Sequence, residues 1–151
     1  MKNELSKMIA ADLYRYGIRS EKDMSFMEKR ELYGYHYTKT MRKCKYYKEN
    51  GNKLRFFFYR YLLSVLSRTY GFQISYATEI GEGLYLGHAG SIVVNHKAKL
   101  GKNVNLSQGV TIGITNRGKK VGVPTIGDNV WIGSTATVVG QSLISTGQRK
   151  I

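Results

Sequence analysis

Three histidines, one cysteine and a basic loop are the parts of this chain whose side chains could do chemistry. His88 stands in Leu86-Gly87-His88-Ala89-Gly90, where small neighbours leave room beside the ring. An imidazole with an ordinary pKa of about 6.5 can take a proton from a hydroxyl at neutral pH, which makes His88 a candidate general base. His96 follows Val94 as His88 follows Leu86 and is the fallback base, whereas His36 falls in a helical stripe and supports no site. Cys44 is alone, so it forms no internal disulfide and favours a reducing compartment. Arg117, Lys119 and Lys120 sit in a polar, glycine-rich segment from Gly113 to Thr125. Loops on rigid scaffolds are where binding groups concentrate.

These residues are positioned by two regions of different period. Residues 1–71 read as helices. Asn3 is a candidate cap for a first helix carrying Leu5, Met8, Ile9, Leu13 and Tyr16 and ending at Gly17. Ser25 and Glu28 have capping-box spacing, ahead of a stripe of Tyr33, Tyr37, Met41 and Cys44. A third helix carries Leu54, Phe57, Phe58, Tyr61, Leu62, Val65 and Leu66 as the stripe expected to pack on the C-terminal region, with Arg55, Arg60 and Arg68 off it.

Residues 72–151 keep a six-residue rhythm. Ile74, Ile80, Leu86 and Ile92 form one series, and Val94, Leu100, Leu106 and Ile112 a second. Ile126, Ile132, Val138 and Ile144 form a third. Glycine often follows the aliphatic residue, as at Gly81, Gly87, Gly101, Gly113, Gly127 and Gly133. Neither a helix nor a continuous strand has this period. A short strand plus a corner, repeated around a solenoid with one aliphatic side chain inward per unit, does. The phase slips by two residues between Ile92 and Val94, and loop 113–125 replaces regular units. His88, two positions past inward Leu86, is expected near a corner and pointing outward.

The formal charge of +14 is shared by both halves: residues 1–70 hold 16 Lys/Arg against seven Asp/Glu, and residues 71–151 hold eight against three. Nucleic acid, an anionic membrane surface or a phosphate-rich cofactor are the partners such charge could meet. The N-terminus has no apolar core of signal-peptide length, and no run approaches the roughly 20 apolar residues of a membrane span. A cytoplasmic location is expected.

The repeats, with GLYLGHAGSIVVNHKAKLGKNVNLSQGVTIG and IGDNVWIGSTATVVG, resemble the serine acetyltransferase group of hexapeptide acyltransferases, above all its short members of surface-polysaccharide biosynthesis. The resemblance implies an α+β chain, N-terminal helices followed by a left-handed parallel β-helix. It implies a homotrimer with acetyl-CoA as co-substrate in the groove between neighbours, and no metal. It does not carry over the hexamer of the longer relatives. His88 aligns with the catalytic histidine. Gly113, Trp131, Gly133 and Ser134 match groove positions, and Arg117, Lys119 and Lys120 are candidates for the phosphates of CoA.

Departures bear on the acceptor. Gly87 stands where the family has an aspartate, Gly122-Val123-Pro124 where it has an arginine–histidine pair before the proline, and the carboxylate that orients the histidine falls near Gln73. Without those charges free L-serine lacks its counter-ions, and a neutral sugar hydroxyl fits better. Glu79, Glu82 or Gln73 are candidates to orient His88 across an interface. Relatives continue beyond Ile144 for another coil or two and a tail, so the sequence reads as shortened or altered, with weak or absent activity expected. Two other readings use the same residues. A zinc enzyme of the carbonic anhydrase type needs three histidines where the solenoid offers His88 and His96. A non-catalytic basic module would bind nucleic acid or membrane through the helices; neither nucleic acid nor stable membrane insertion is expected.

Overall fold

The computed structural model describes residues 2–147 and the backbone of residues 149–150. Four α-helices lie within residues 2–70: α1 (Lys2–Tyr14), α2 (Glu28–Glu31), α3 (Tyr33–Glu49) and α4 (Lys53–Tyr70). The Ser25 box forms in both directions: Glu28 N–H donates to Ser25 Oγ at 3.2 Å and Ser25 N–H to Glu28 Oε2 at 2.7 Å. The helix it opens lasts one turn, and the buried stripe of Tyr37, Met41 and Cys44 belongs to α3. Asn3 lies inside α1 instead of capping it. Asn52 caps α4, accepting from Arg55 N–H at 3.1 Å, and Gly71 ends it at φ 74°.

The stripe expected on α4 is corrected by the structure. Leu66 of that stripe packs on the core, but Leu54, Phe57, Phe58 and Tyr61 are 60–84% exposed, while Leu63 is buried and Phe56, Tyr59 and Tyr70, outside the stripe, pack on the core. The helix has apolar side chains around most of its circumference, so period alone does not choose its inner face. Tertiary contact with α3 and the first strand chooses it.

Among the described residues twelve short strands come after α4: β1 (Phe72–Ile74), β2 (Glu79–Ile80), β3 (Tyr85–Leu86), β4 (Ile92–Val94), β5 (Lys99–Leu100), β6 (Asn105–Leu106), β7 (Thr111–Gly113), β8 (Thr125–Ile126), β9 (Trp131–Ile132), β10 (Thr137–Val139), β11 (Leu143–Ile144) and β12 (Arg149–Lys150). They make three parallel sheets, β1-β4-β7-β10, β2-β5-β8-β11 and β3-β6-β9-β12. Each strand pairs with the one three later, so the chain visits the sheets in rotation. A regular circuit takes 18 residues (Val93↔Thr111), three hexads. The circuit containing loop 113–125 takes 26 (Thr111↔Thr137).

The hexad residues make the core: Ile74, Ile80, Leu86, Val94, Leu100, Leu106, Ile112, Ile126, Ile132, Val138 and Ile144 are all buried. Ladders of Leu84, Val104 and Val130, and of Ile92 and Val110, fill the corners between them. The two-residue slip is moved by the structure. Ile92 and Val94 both point inward, as residues i and i+2 of one strand must, and pair with Phe72 and Ile74 across a 20-residue circuit. The two extra residues lie earlier, in the turn from Gly87 to Ser91 that carries His88.

Backbone approach fixes the glycine column. A Cβ on Gly81 would lie 2.6 Å from Gly101 O, and one on Gly101 would overlap Asp128 Oδ1 and lie 2.7 Å from Gly127 C. Beside it Asn103 and Asn129 adopt φ 55°, and Asn103 Nδ2 donates to Asn129 Oδ1 at 3.1 Å.

Helices and repeats are locked by one buried ion pair. Arg42 of α3 bonds Asp12 of α1 through Nε at 3.1 Å and Nη2 at 3.2 Å, and donates to Ile80 O and Gly81 O at 2.7 and 2.5 Å. Asp12 Oδ1 also accepts from Gly83 N–H and Leu84 N–H, each at 2.9 Å. Tyr37 adds a second tie, its hydroxyl donating to Ile74 O at 2.7 Å and accepting from Ile74 N–H at 3.2 Å.

Candidate active site

His88 is exposed, in the turn that joins β3 to β4. The lengthened turn is held from behind by the end of α4: Gly90 N–H donates to Tyr70 O at 2.9 Å and Ile92 N–H to Gly71 O at 3.1 Å. Gly71 must be glycine there, since its φ is positive and a Cβ would lie 2.9 Å from Ser91 N. The exposed ring therefore stands on a braced segment. No hydrogen bond to the ring occurs among the described residues, which leaves both nitrogens open to a proton donor or acceptor.

The same edge recurs in later circuits. Gln108 and Ser134 stand two positions past inward Leu106 and Ile132, as His88 stands past Leu86. Thr135 N–H donates to Gln108 O at 3.0 Å, and a Cβ on Gly109 would lie 3.1 Å from Thr135 Cγ2, so these turns stack. His88, Gly133 and Ser134 thus share one edge. Trp131 lies on the sheet leading to it, 41% exposed, and donates from Nε1 to Ser107 Oγ at 3.2 Å. Sequence reasoning missed the Ser107-Gln108-Gly109 turn between them, although the shared offset from the inward residue marks it.

Gly113, Arg117, Lys119 and Lys120 belong to the opposite edge of the β1-β4-β7-β10 sheet, where the chain leaves β7. The segment closes as a small hairpin, with Thr115 and Gly122 exchanging two N–H···O bonds of 3.0 Å. Lys120 O accepts from Gln141 N–H at 3.0 Å, which ties the hairpin to the next circuit. All three cations are exposed, and none meets a carboxylate among the described residues. His96 stands on this edge too, exposed in the turn after β4, so the two histidines occupy different edges despite their similar offsets. Three-residue strands put those edges about 10 Å apart.

Glu79 and Glu82, candidates to orient His88, are engaged with Lys99 at 3.2 Å and Lys102 at 3.1 Å. His36 lies in α3, with Nε2 at 2.9 Å from Lys29 O. Among the described residues no group of three or more His, Cys, Asp or Glu could hold a metal ion, and no helix is long and apolar enough to cross a membrane.

No protein-family model matches the chain. A serine acetyltransferase of Helicobacter pylori is 36% identical over 90 residues, 59% of this chain and 53% of that protein. The Bacillus subtilis enzyme of the same name is 33% identical over 98 residues, 64% of this chain and 45% of its own length. The chain therefore spans about half the length of the curated relatives it matches. Among solved structures, Neisseria gonorrhoeae serine acetyltransferase in complex with serine superposes with a TM-score of 0.72 at 26% identity, covering 97% of this chain and 66% of that one. The Brucella abortus enzyme in complex with coenzyme A gives 0.71 at 29% identity, covering 99% and 62%. In the sequence of its repeats, and in fold along nearly its whole length, this is a serine acetyltransferase-like hexapeptide-repeat chain.

Proposed function

We propose that the chain is an acetyl-CoA-dependent O-acetyltransferase acting on a sugar hydroxyl, with His88 as general base. The supporting observation is the placement of His88 with Gly133 and Ser134 on one edge of a sheet whose other edge carries Gly113 and the basic hairpin. The rotation of strands among three sheets, with the resemblance to relatives solved with serine and with coenzyme A, supports a left-handed β-helix as the scaffold. A single chain holds its two edges apart. Packing as a homotrimer brings the His88 edge of one copy beside the hairpin of the next, and the groove between them then holds both reactants.

The residues suit the co-substrate. Arg117, Lys119 and Lys120 lack carboxylate partners among the described residues and offer charge to its phosphates, while the backbone at Gly113 and Gly133 can meet its amides. His88 takes the hydroxyl proton as the oxygen bonds to the acetyl carbon. The carbon–sulfur bond then breaks, and CoA leaves as the thiol with the proton that His88 returns. Backbone N–H groups of the glycine-containing turns are the proposed donors to the oxyanion.

The acceptor is inferred from the charges the site lacks. Gly87 and Gly122-Val123-Pro124 bring no charge to grip an amino acid's ends, so a sugar hydroxyl is favoured over L-serine. Release of CoA thiol from acetyl-CoA, followed with a panel of sugars and with L-serine, tests this. His88→Ala is expected to lower kcat about 10²- to 10⁴-fold with little change in KM for acetyl-CoA. Turnover unchanged in His88→Ala, or L-serine accepted far better than any sugar, refutes the assignment.

A further inference from the structure

A groove of about 410 Å³ opens between α4 and the outer face of β1 and β4. Arg60 and Arg68 of α4 line one side, with His96 of the turn after β4 also on its wall. No Asp or Glu lines it, and neither arginine has a carboxylate partner among the described residues. Arg60 lies over the Tyr76 ring at 5.8 Å, an arrangement that leaves the edge of its guanidinium fork available. Gln73 and Ser64 also line the groove, with side chains that make no hydrogen bond among the described residues. Tyr37 forms part of the wall; burial raises its pKa, so it stays a neutral hydroxyl, already committed to Ile74.

We infer that this groove binds an acidic saccharide, a sugar carrying a carboxylate or phosphate, with Arg60 and Arg68 as its anion-recognising residues. The volume is that of a small-ligand pocket. Two guanidinium groups without counter-ions in one concavity favour a planar or tetrahedral oxyanion. The amide of Gln73, the hydroxyl of Ser64 and the Tyr76 ring suit the hydroxyls and apolar face of a sugar. A nucleic acid strand is disfavoured, because the cations gather in one short open groove and do not track along a surface. The groove lies at the edge of the sheet that also carries the hairpin, so its use as the acceptor's docking subsite rests on the transfer reading; the binding itself does not.

The test is calorimetric titration of the full chain, without acetyl-CoA, using glucuronate, glucose 6-phosphate, glucose and inorganic phosphate. Saturable binding of at least one acidic sugar is expected, with glucose much weaker. Arg60→Gln and Arg68→Gln should each weaken it about tenfold or more. The two acidic sugars tell whether the groove prefers carboxylate or phosphate. Both arginines are exposed, so the variants should keep the parental circular dichroism, which is recorded alongside. No saturable binding, glucose equal to the acidic sugars, inorganic phosphate binding as tightly as the phosphorylated sugar, or variants that bind like the parent would each overturn the inference. A chain that binds acidic sugars in this way yet never releases thiol from acetyl-CoA overturns the transfer reading and leaves the groove standing.

Discussion

Asp12 and Arg42 are fully paired side chains at a place where almost no water reaches them, with relative exposures of 0% and 5%. Breaking such a pair leaves a bare charge in the interior, so Arg42→Ala is expected to destabilise the chain by about 3–5 kcal/mol in urea unfolding. An effect under about 1 kcal/mol would show that the pair does not join α1, α3 and the first repeat as described. Cys44 offers a second check at this scale. Burial pushes its thiol up to about 11, so a disulfide reagent at neutral pH should label it only as the protein unfolds. Labelling at the rate of a small thiol in the native state would contradict its position. The exposed corner position of His88 was legible in the sequence, because it stands two residues past the inward Leu86 among small neighbours. Asp12 was not, since one carboxylate on a helix looks like any solvated charge until its partners, 30 and more residues away, are in place.

At the scale of elements, the hexads were read directly because each inward aliphatic residue occupies an equivalent site. One side chain per turn is enough to reveal the period. Ile132, fully buried in the third circuit, should cost about 2–5 kcal/mol of stability as Ile132→Ala. Gly101→Ala should be comparably costly although it deletes nothing, because the new methyl meets backbone at 2.7 Å. Urea midpoints for the two variants measure this, and a neutral Gly101→Ala would mean that successive corners do not stack as closely as described. The turn bearing His88 was less legible. A strand that directs Ile92 and Val94 to the same side makes the phase slip look local to them, when the added residues lie upstream. The inner face of α4 was illegible for a different reason: aromatic side chains lie on several of its faces, and its packing against α3 and β1, after the αL cap at Gly71, sets its rotation.

For the whole molecule, the proposed activity depends on copies meeting edge to edge. Sedimentation equilibrium should return three times the 17.1 kDa of one chain. The most direct measurement is subunit complementation. One variant carries His88→Ala; a second carries Arg117→Ala, Lys119→Ala and Lys120→Ala and is assayed at acetyl-CoA below its KM. Each is expected to be nearly inactive alone. When the two are unfolded together and refolded as mixed trimers, about a quarter of the grooves pair an intact His88 with an intact hairpin from the neighbour. Thiol release should then recover to about that fraction of the parent. Recovery no greater than the sum of the separate variants would contradict an active site built from an imidazole on one copy and cations on the next.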